Sequence, residues 1–328
     1  MEILLTGSVA YDYLMTFPGL FKEQILPERL EKISLSFLVD SMTRQRGGVA
    51  PNIAYTMALL GERPHVMATV GEDFGEYRQF LESAGVDTTL MEVVPGLFTA
   101  SFFATTDLSN AQVASFYPGA MGVAAKQSIL QARPRPDLVI VSPNAPEAMT
   151  KFAAECRHSN IPYLYDPSQQ ILRLAGPELA RDMEGAHFLF VNDYEFELIA
   201  KKTGWDLTQV LQHVKVVVVT RGKDGATVYT GDVERFIPPV PEERIVDPTG
   251  VGDAFRGGFL AGYAHDFDWK LCGEIGSLAA VYCLEQKGPQ NHNYTCNEFV
   301  RRFRENFDDS DKLSELLRNQ TGVPHEQF

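Results

Sequence analysis

The sequence predicts an α/β fold: a parallel sheet with helices between its strands, and a small antiparallel β excursion beside it. Three observations predict this. From residue 137 onward, short apolar runs alternate with helical segments, the pattern of right-handed βαβ units. The first run, residues 3–9, is apolar almost throughout, as a strand buried on both faces must be. Residues 13–45 and 98–118 have a different texture, with β-like pieces and no helix between them. The expected division is therefore a large α/β unit of residues 1–12, 46–97 and 119–328, and a small β lid of residues 13–45 and 98–118.

In chain order, residues 3–9 form the first strand, and Asp12 stands at its exit, where open α/β sheets keep their ligands. Asp12 either accepts hydroxyl hydrogen bonds from a diol or simply caps a turn. Residues 33–39 read as a β-like piece of the excursion. Gly47-Gly48-Val49-Ala50-Pro51-Asn52 opens an amphipathic helix over 53–60 that stops at Gly61. Residues 65–70 are a second buried strand, and 77–84 a helix ended by Gly85. Residues 98–105 and 112–117 read as a hairpin in which Phe102, Phe103, Phe116 and Tyr117 either wall a flat ligand or fill a strand core.

The regular half follows. Strands are expected at 138–141, 163–165, 188–191 and 214–220, and helices at 145–158, 195–202 and 207–213. Polar residues close several strands: Ser142, Asn144, Asp166 and Asn192. Asn192 and Glu195, three apart, fit a capping box, and equally a pair of oxygen donors that hold Mg²⁺ through water. Gly222 and Gly225 fit a hairpin turn between 214–220 and 226–229, or a loop that a nucleotide passes. After a strand at 233–240 come helices at 254–264, 268–285 and 299–307, then a polar tail from 310 with a possible turn of helix at 312–317.

Composition narrows the partners. The chain has 328 residues, 45% hydrophobic, and a formal charge of −14, which argues against nucleic acid and anionic membrane surfaces. An anionic substrate must then be met by a local device such as backbone amides, Mg²⁺ or a single Arg. The four cysteines show no metal spacing and read as buried thiols, which suggests a cytoplasmic location. The opening residues do not resemble a signal peptide, and no apolar run is long enough to span a membrane. A monomer and a homodimer are both compatible with the sequence.

Chemistry concentrates in Asp247-Pro248-Thr249-Gly250-Val251-Gly252-Asp253, which leads into an apolar, glycine-bearing helix. The first amides of a helix lack intrahelical partners and, with the dipole behind them, attract an anion. Asp253 sets a carboxylate beside that anion site. Either it caps the helix, or it handles a proton or a metal.

The Gly47–Asn52 helix start, Asn192-x-x-Glu195 and the 247–253 stretch, in this order and spacing, resemble the motifs of the ribokinase-like (PfkB) carbohydrate and nucleoside kinases. The resemblance runs from residue 3 to about 303. It implies a ribokinase-like three-layer α/β sandwich with a mostly parallel central sheet and a β lid, and ATP-dependent phosphorylation of a hydroxymethyl group. Asp253 would be the base, and the Gly250, Val251 and Gly252 amides the anion hole. Asp12, Gly47, Gly48, Asn52, Phe103 and Gln112 would meet the acceptor. Asn192, Thr220, Gly222, Gly225, Gly288 and Asn291 would border ATP. Glu195 and Asn192 would organise Mg²⁺ through water, and Asp247 is a candidate near K⁺, which some members bind.

Within the family, the chain is most similar to adenosine and related nucleoside kinases, on Phe37-Leu38-Val39-Asp40, the 106–121 segment with Gln112, and Gly288-Pro289-Gln290-Asn291-His292. Ser8 stands where many of those have Asn, Pro248 replaces the commoner Thr, and Val251 the commoner Ala. The expected reaction is γ-phosphoryl transfer to the 5′-hydroxyl of a nucleoside, adenosine first. The alternatives are a sugar kinase of the ribose or fructose type and a nucleoside-binding protein without catalysis.

Overall fold

A computed structural model describes residues 1–25, 31–32, 34–314 and 316. Its strands are β1 (Ile3–Thr6), β2 (Ala10–Thr16), β3 (Ser41–Gly47), β4 (His65–Val70), β5 (Met91–Val93), β6 (Ala100–Thr106), β7 (Gln112–Tyr117), β8 (Leu138–Val141), β9 (Tyr163–Tyr165), β10 (Phe188–Asn192), β11 (Val216–Thr220), β12 (Ala226–Tyr229) and β13 (Glu234–Ile237). Nine of them form one sheet in the order β13-β12-β11-β10-β9-β8-β1-β4-β5. From β5 to β11 neighbours run parallel; β12 and β13 close one edge antiparallel.

Helices cover both faces of this sheet, because its strands are apolar on both. Ile3 and Leu5 of β1, with Leu138 and Ile140 of β8, enter one core with the Val49–Leu59, Val251–Ala264 and Trp269–Leu284 helices. Leu4, Val139 and Val141 point the other way, into a second core with the Pro146–His158 and Gly176–Met183 helices. Each fully buried aliphatic side chain contributes about 1.5–3 kcal/mol, so this two-sided burial fixes the sheet's position between its layers. The Val49–Leu59 helix is not amphipathic as expected: every residue from Ala50 to Met57 is buried, because a second helix lies on its outer side. A Cβ on Gly257 would stand 2.8 Å from the Ile53 carbonyl oxygen, and one on Gly258 the same distance from that of Ile275. The small residues let the Val251–Ala264 helix pack hard against both neighbours.

The other four strands form a separate sheet, β3-β2-β6-β7. The first apolar run breaks after Thr6, and β2 carries the chain from Ala10 into this sheet. Asp12 therefore lies within a strand of the small sheet rather than at the exit of β1. The strand beside β2 is 41–47; residues 34–39 form none, and Ile33 and the end of the 312–317 segment lie outside the described residues. β5 and the Gly176–Met183 helix were not foreseen, since one is three residues long and the other is short.

No helix among the described residues is long and apolar enough to cross a membrane. All four cysteines are buried free thiols.

Candidate active site

The Val251–Ala264 helix starts where its sequence demands. Gly250 caps it at φ 78°, the left-handed region, and a Cβ there would stand 2.3 Å from Pro289 Cβ. The helix N-terminus is thereby pressed against the 288–290 loop. Asp247 clasps the same junction: its Oδ1 accepts the Thr249 amide at 2.9 Å, and its Oδ2 the Gly288 amide at 2.9 Å. These amides hold its carboxyl below the usual range, against the opposing effect of burial.

Asp253 sits in the helix's first turn, partly open to a cleft. Asn52 Nδ2 donates to Asp253 Oδ2 at 2.8 Å. Asn52 is itself fixed: its Oδ1 accepts Gln290 Nε2 at 2.7 Å, that amide also donates to the Tyr77 hydroxyl, and Tyr77 donates to the Gly47 carbonyl at 2.9 Å. A buried hydrogen-bond chain thus links the Gly47–Asn52 helix start, the last loop and the carboxylate. Burial pushes the Asp253 carboxyl up to about 6; Arg256 and the Asn52 bond oppose this, and Glu195 adds to it.

The cleft in front of Asp253 is also lined by Asn192, Glu195, Thr220, Gly250, Gly252 and Arg256. They come from the carboxyl ends of β10 and β11 and the starts of two helices, Asp193–Thr203 and Val251–Ala264, the usual ligand-binding edge of such a sheet. Asn192 and Glu195 form the capping box: Glu195 N–H donates to Asn192 Oδ1 at 2.7 Å, and Asn192 N–H to Glu195 Oε2 at 2.8 Å. The Asn192 side-chain oxygen thus caps the helix with one lone pair, while the residue also lines the cleft. Glu195 keeps Oε1. Among the described residues, no three His, Cys, Asp or Glu side chains gather closely enough to hold a metal directly.

The small sheet meets this region through Gly47 and the 288–290 loop. Asp12, Gln45 and Phe102 are in register, and Phe102 pairs with Phe116, so all four share one face. Asp12 lies beside Gly47, whose Cβ would stand 2.7 Å from Oδ2, and Gln45 beside Gly288. Burial, with repulsion from Asp247, pushes the Asp12 carboxyl up to about 6. Gly48 caps the Val49–Leu59 helix, backed against the Ser8 carbonyl.

Several expected contacts lie elsewhere. Phe103 follows Phe102, so the pleat turns it to the other face, where it stacks on Tyr13 at 4.8 Å. The four aromatics divide: Phe102 and Phe116 face with Asp12, Phe103 and Tyr117 away. Gln112 is at the far end of β7, paired with Thr106 and donating to its hydroxyl at 3.0 Å. Gly222 and Gly225 bracket the tight turn between β11 and β12, where Gly225 packs against the Ile237 carbonyl; the hairpin accounts for both. Asn291 is exposed and donates back to the Lys287 carbonyl at 2.6 Å.

Sequence reasoning missed Gln45, Tyr77, Gln290 and the Asp166–Arg256 pair in the cleft floor, where Arg256 Nη2 donates to Asp166 Oδ1 at 2.9 Å and Nε lies 2.7 Å from Oδ2. One signal was available: Arg256 is the only charge after Asp253 in an otherwise apolar helix.

Known proteins of similar sequence and fold identify the family. The model of the pfkB family carbohydrate kinases matches residues 6–296. The chain is 30% identical over 310 residues to a nucleoside kinase of Methanothermobacter thermautotrophicus, covering 92% of this chain and 95% of that one. It is 27% identical over 306 residues to a nucleoside kinase of Methanocaldococcus jannaschii, covering 92% and 96%. The structure of Burkholderia thailandensis nucleoside kinase in complex with inosine superposes with a TM-score of 0.83 at 38% identity, covering 93% and 98%. The chain belongs to the pfkB family of carbohydrate kinases, and is a phosphotransferase with an alcohol group as acceptor.

Proposed function

We propose that the chain is an ATP- and Mg²⁺-dependent nucleoside kinase that phosphorylates the 5′-hydroxyl of adenosine or a close analogue. The observation that carries this reading is the Asp253 carboxylate, held by Asn52 at a helix start that lines a strand-end cleft. The neighbouring small sheet presents Asp12, Gln45, Phe102 and Phe116 on one face, with Asp12 beside Gly47 and Gln45 beside Gly288. Similarity to nucleoside kinases, one of them bound to inosine, favours a nucleoside over a free sugar.

In this reading Asp12 accepts hydrogen bonds from the ribose hydroxyls, while Phe102 and Phe116 flank the base. Asn52 orients Asp253, which takes the proton of the 5′-hydroxyl as its oxygen bonds to the γ-phosphorus. The bond from that phosphorus to the β–γ bridging oxygen breaks, and ADP leaves with the electron pair. The amides at Gly250–Gly252 receive the charge spread over the transferring phosphoryl oxygens.

The donor set fits the metal: Glu195 lines the cleft and its Oε1 makes no hydrogen bond among the described residues, leaving a hard oxygen suited to holding Mg²⁺ through water. Mg²⁺, when bound, neutralises phosphate charge. The Asp247 carboxylate joins the helix start to the last loop by accepting the Thr249 and Gly288 amides, and any K⁺ near it would be held by neighbouring backbone carbonyls.

The test is ATP consumption by the purified chain against a panel of nucleosides and sugars. The expected result is highest kcat/KM on a purine nucleoside, with the product phosphorylated at the 5′ position. A clear preference for a free sugar overturns the acceptor; no turnover with any acceptor overturns the catalytic reading.

A further inference from the structure

Arg256 is the feature that neither the family motifs nor the proposed roles account for. It is 7% exposed, and its partner Asp166 is fully buried. A buried ion pair is weak support for stability, since the cost of desolvating both charges offsets much of their attraction. Its placement is more informative. Side chains on a helix lean toward the N-terminus, and Arg256 lies four residues after Gly252, so its guanidinium folds back over that glycine. Nη1 lies 3.0 Å from where a Cβ on Gly252 would stand. A side chain at 252 would press on the guanidinium and push it from this place.

Nη2 donates to Asp166 Oδ1, and Nε stands 2.7 Å from Oδ2 as an ion pair without hydrogen-bond geometry; Asp166 lies just beyond β9 at the sheet's carboxyl edge. Nη1 makes no hydrogen bond among the described residues, and Arg256 lines the cleft with Gly250, Gly252 and Asp253. Three carboxylates, Asp166, Asp253 and Glu195, surround this one cation. A chain of charge −14 has few fixed positive groups to offer an anionic substrate, and this one is already oriented at the helix start.

We propose that Arg256 is a charge-stabilising residue of the phosphoryl-transfer step, held by Asp166 so that Nη1 reaches the transferring group beside the Gly250–Gly252 amides. Asp166 is then a positioning residue: it binds no substrate and fixes the plane of the guanidinium. Because the charge and the donor are in place beforehand, they act with no reorganisation during transfer. The inference rests on the phosphotransferase activity of the family, not on the identity of the acceptor.

The experiment compares wild type, Arg256→Gln, Arg256→Lys and Asp166→Asn as full chains. Calorimetry measures the affinity of each for Mg-ADP with and without aluminium fluoride, a mimic of the transferring phosphoryl group. Steady-state kinetics give kcat and KM on the preferred acceptor. For Arg256→Gln we expect kcat to fall about 100-fold or more. Acceptor KM and Mg-ADP affinity should stay within about threefold, with the gain in affinity from aluminium fluoride lost. Asp166→Asn should lose part of that gain, and Arg256→Lys should recover part of it. A folded Arg256→Gln that keeps the wild-type gain, or a kcat within about fivefold of wild type, overturns the proposal. If Arg256→Gln does not fold, Arg256→Lys decides: an undiminished aluminium fluoride gain there, without the fork, overturns it as well. Wild-type turnover, measured in parallel, tests the family chemistry separately.

Discussion

Asn52→Ala removes the hydrogen bond that Asn52 Nδ2 gives to Asp253, at 2.8 Å the carboxylate's direct side-chain donor. That bond favours the ionised form, while burial disfavours it and holds the carboxyl at about 6. A hydrogen bond to a charged group is worth roughly 1.5–3 kcal/mol, and one pKa unit is about 1.4 kcal/mol. Losing it should therefore raise the Asp253 pKa further above its wild-type value, although Arg256 still opposes the effect of burial. A base must be deprotonated to act, so activity falls as pH drops through this value. The acidic limb of kcat/KM should lie near pH 6 in wild type and move toward neutrality or above in the variant. The assay is the full pH profile of both proteins, not a rate at one pH, because Asn52 also sits where an acceptor would bind. Loss of the Asn52 oxygen also frees Gln290 from one partner, so circular dichroism must accompany the kinetics. A folded Asn52→Ala whose limb coincides with that of wild type would refute Asp253 as the titrating base held by Asn52.

Further expectations concern the same region. The folded-state pKa of Asp253 lies above its unfolded value, so its ionisation opposes folding; the cost is absent below about pH 4, grows toward pH 6 and is complete above it. Asp253→Asn should therefore abolish turnover yet stabilise the protein at pH 8 by about 1–2 kcal/mol, after discounting for the part of the side chain open to the cleft. Equal melting temperatures at pH 8 contradict this. Gly250→Ala imposes φ 78° on a residue with a Cβ, about 1–2 kcal/mol, and drives that Cβ into Pro289. The forced shift of the helix start should lower kcat by about 100-fold, and normal kinetics in Gly250→Ala would remove the close approach from the mechanism. Asp12→Ala should raise the acceptor KM tenfold or more, from about one charged hydrogen bond lost, with little change in kcat. Unchanged acceptor KM would take Asp12 out of the acceptor site.

The strands of the second half were legible because each is a short apolar run between helical segments. Residues 138–141, 163–165 and 226–229 match β8, β9 and β12 at both ends. The glycines at 250 and 252 were legible because the motif sets them beside an Asp at a helix start. The first strand misled because 3–9 was read as one run across Thr6-Gly7-Ser8, where the strand ends and the chain passes into a second sheet. Phe103 misled for a related reason: composition shows an aromatic pair, but only the register of β6 against β2 decides which ring faces with Asp12.

By itself, the sequence determined the class of fold and the family, and it marked residues 247–253 as the candidate anion-binding helix start. Those depend on local order: apolar period, glycine placement and motif spacing. Only the tertiary structure decided that Gln290 and Tyr77 would fix Asn52, that Asp166 would hold Arg256, and that Phe102 rather than Phe103 would share the face of Asp12. Gln290 and Asn52 lie 238 positions apart, and Arg256 and Asp166 90. Nothing in the chain near either partner names the other, because the encounter is set by helix packing and strand register, which are properties of the folded whole.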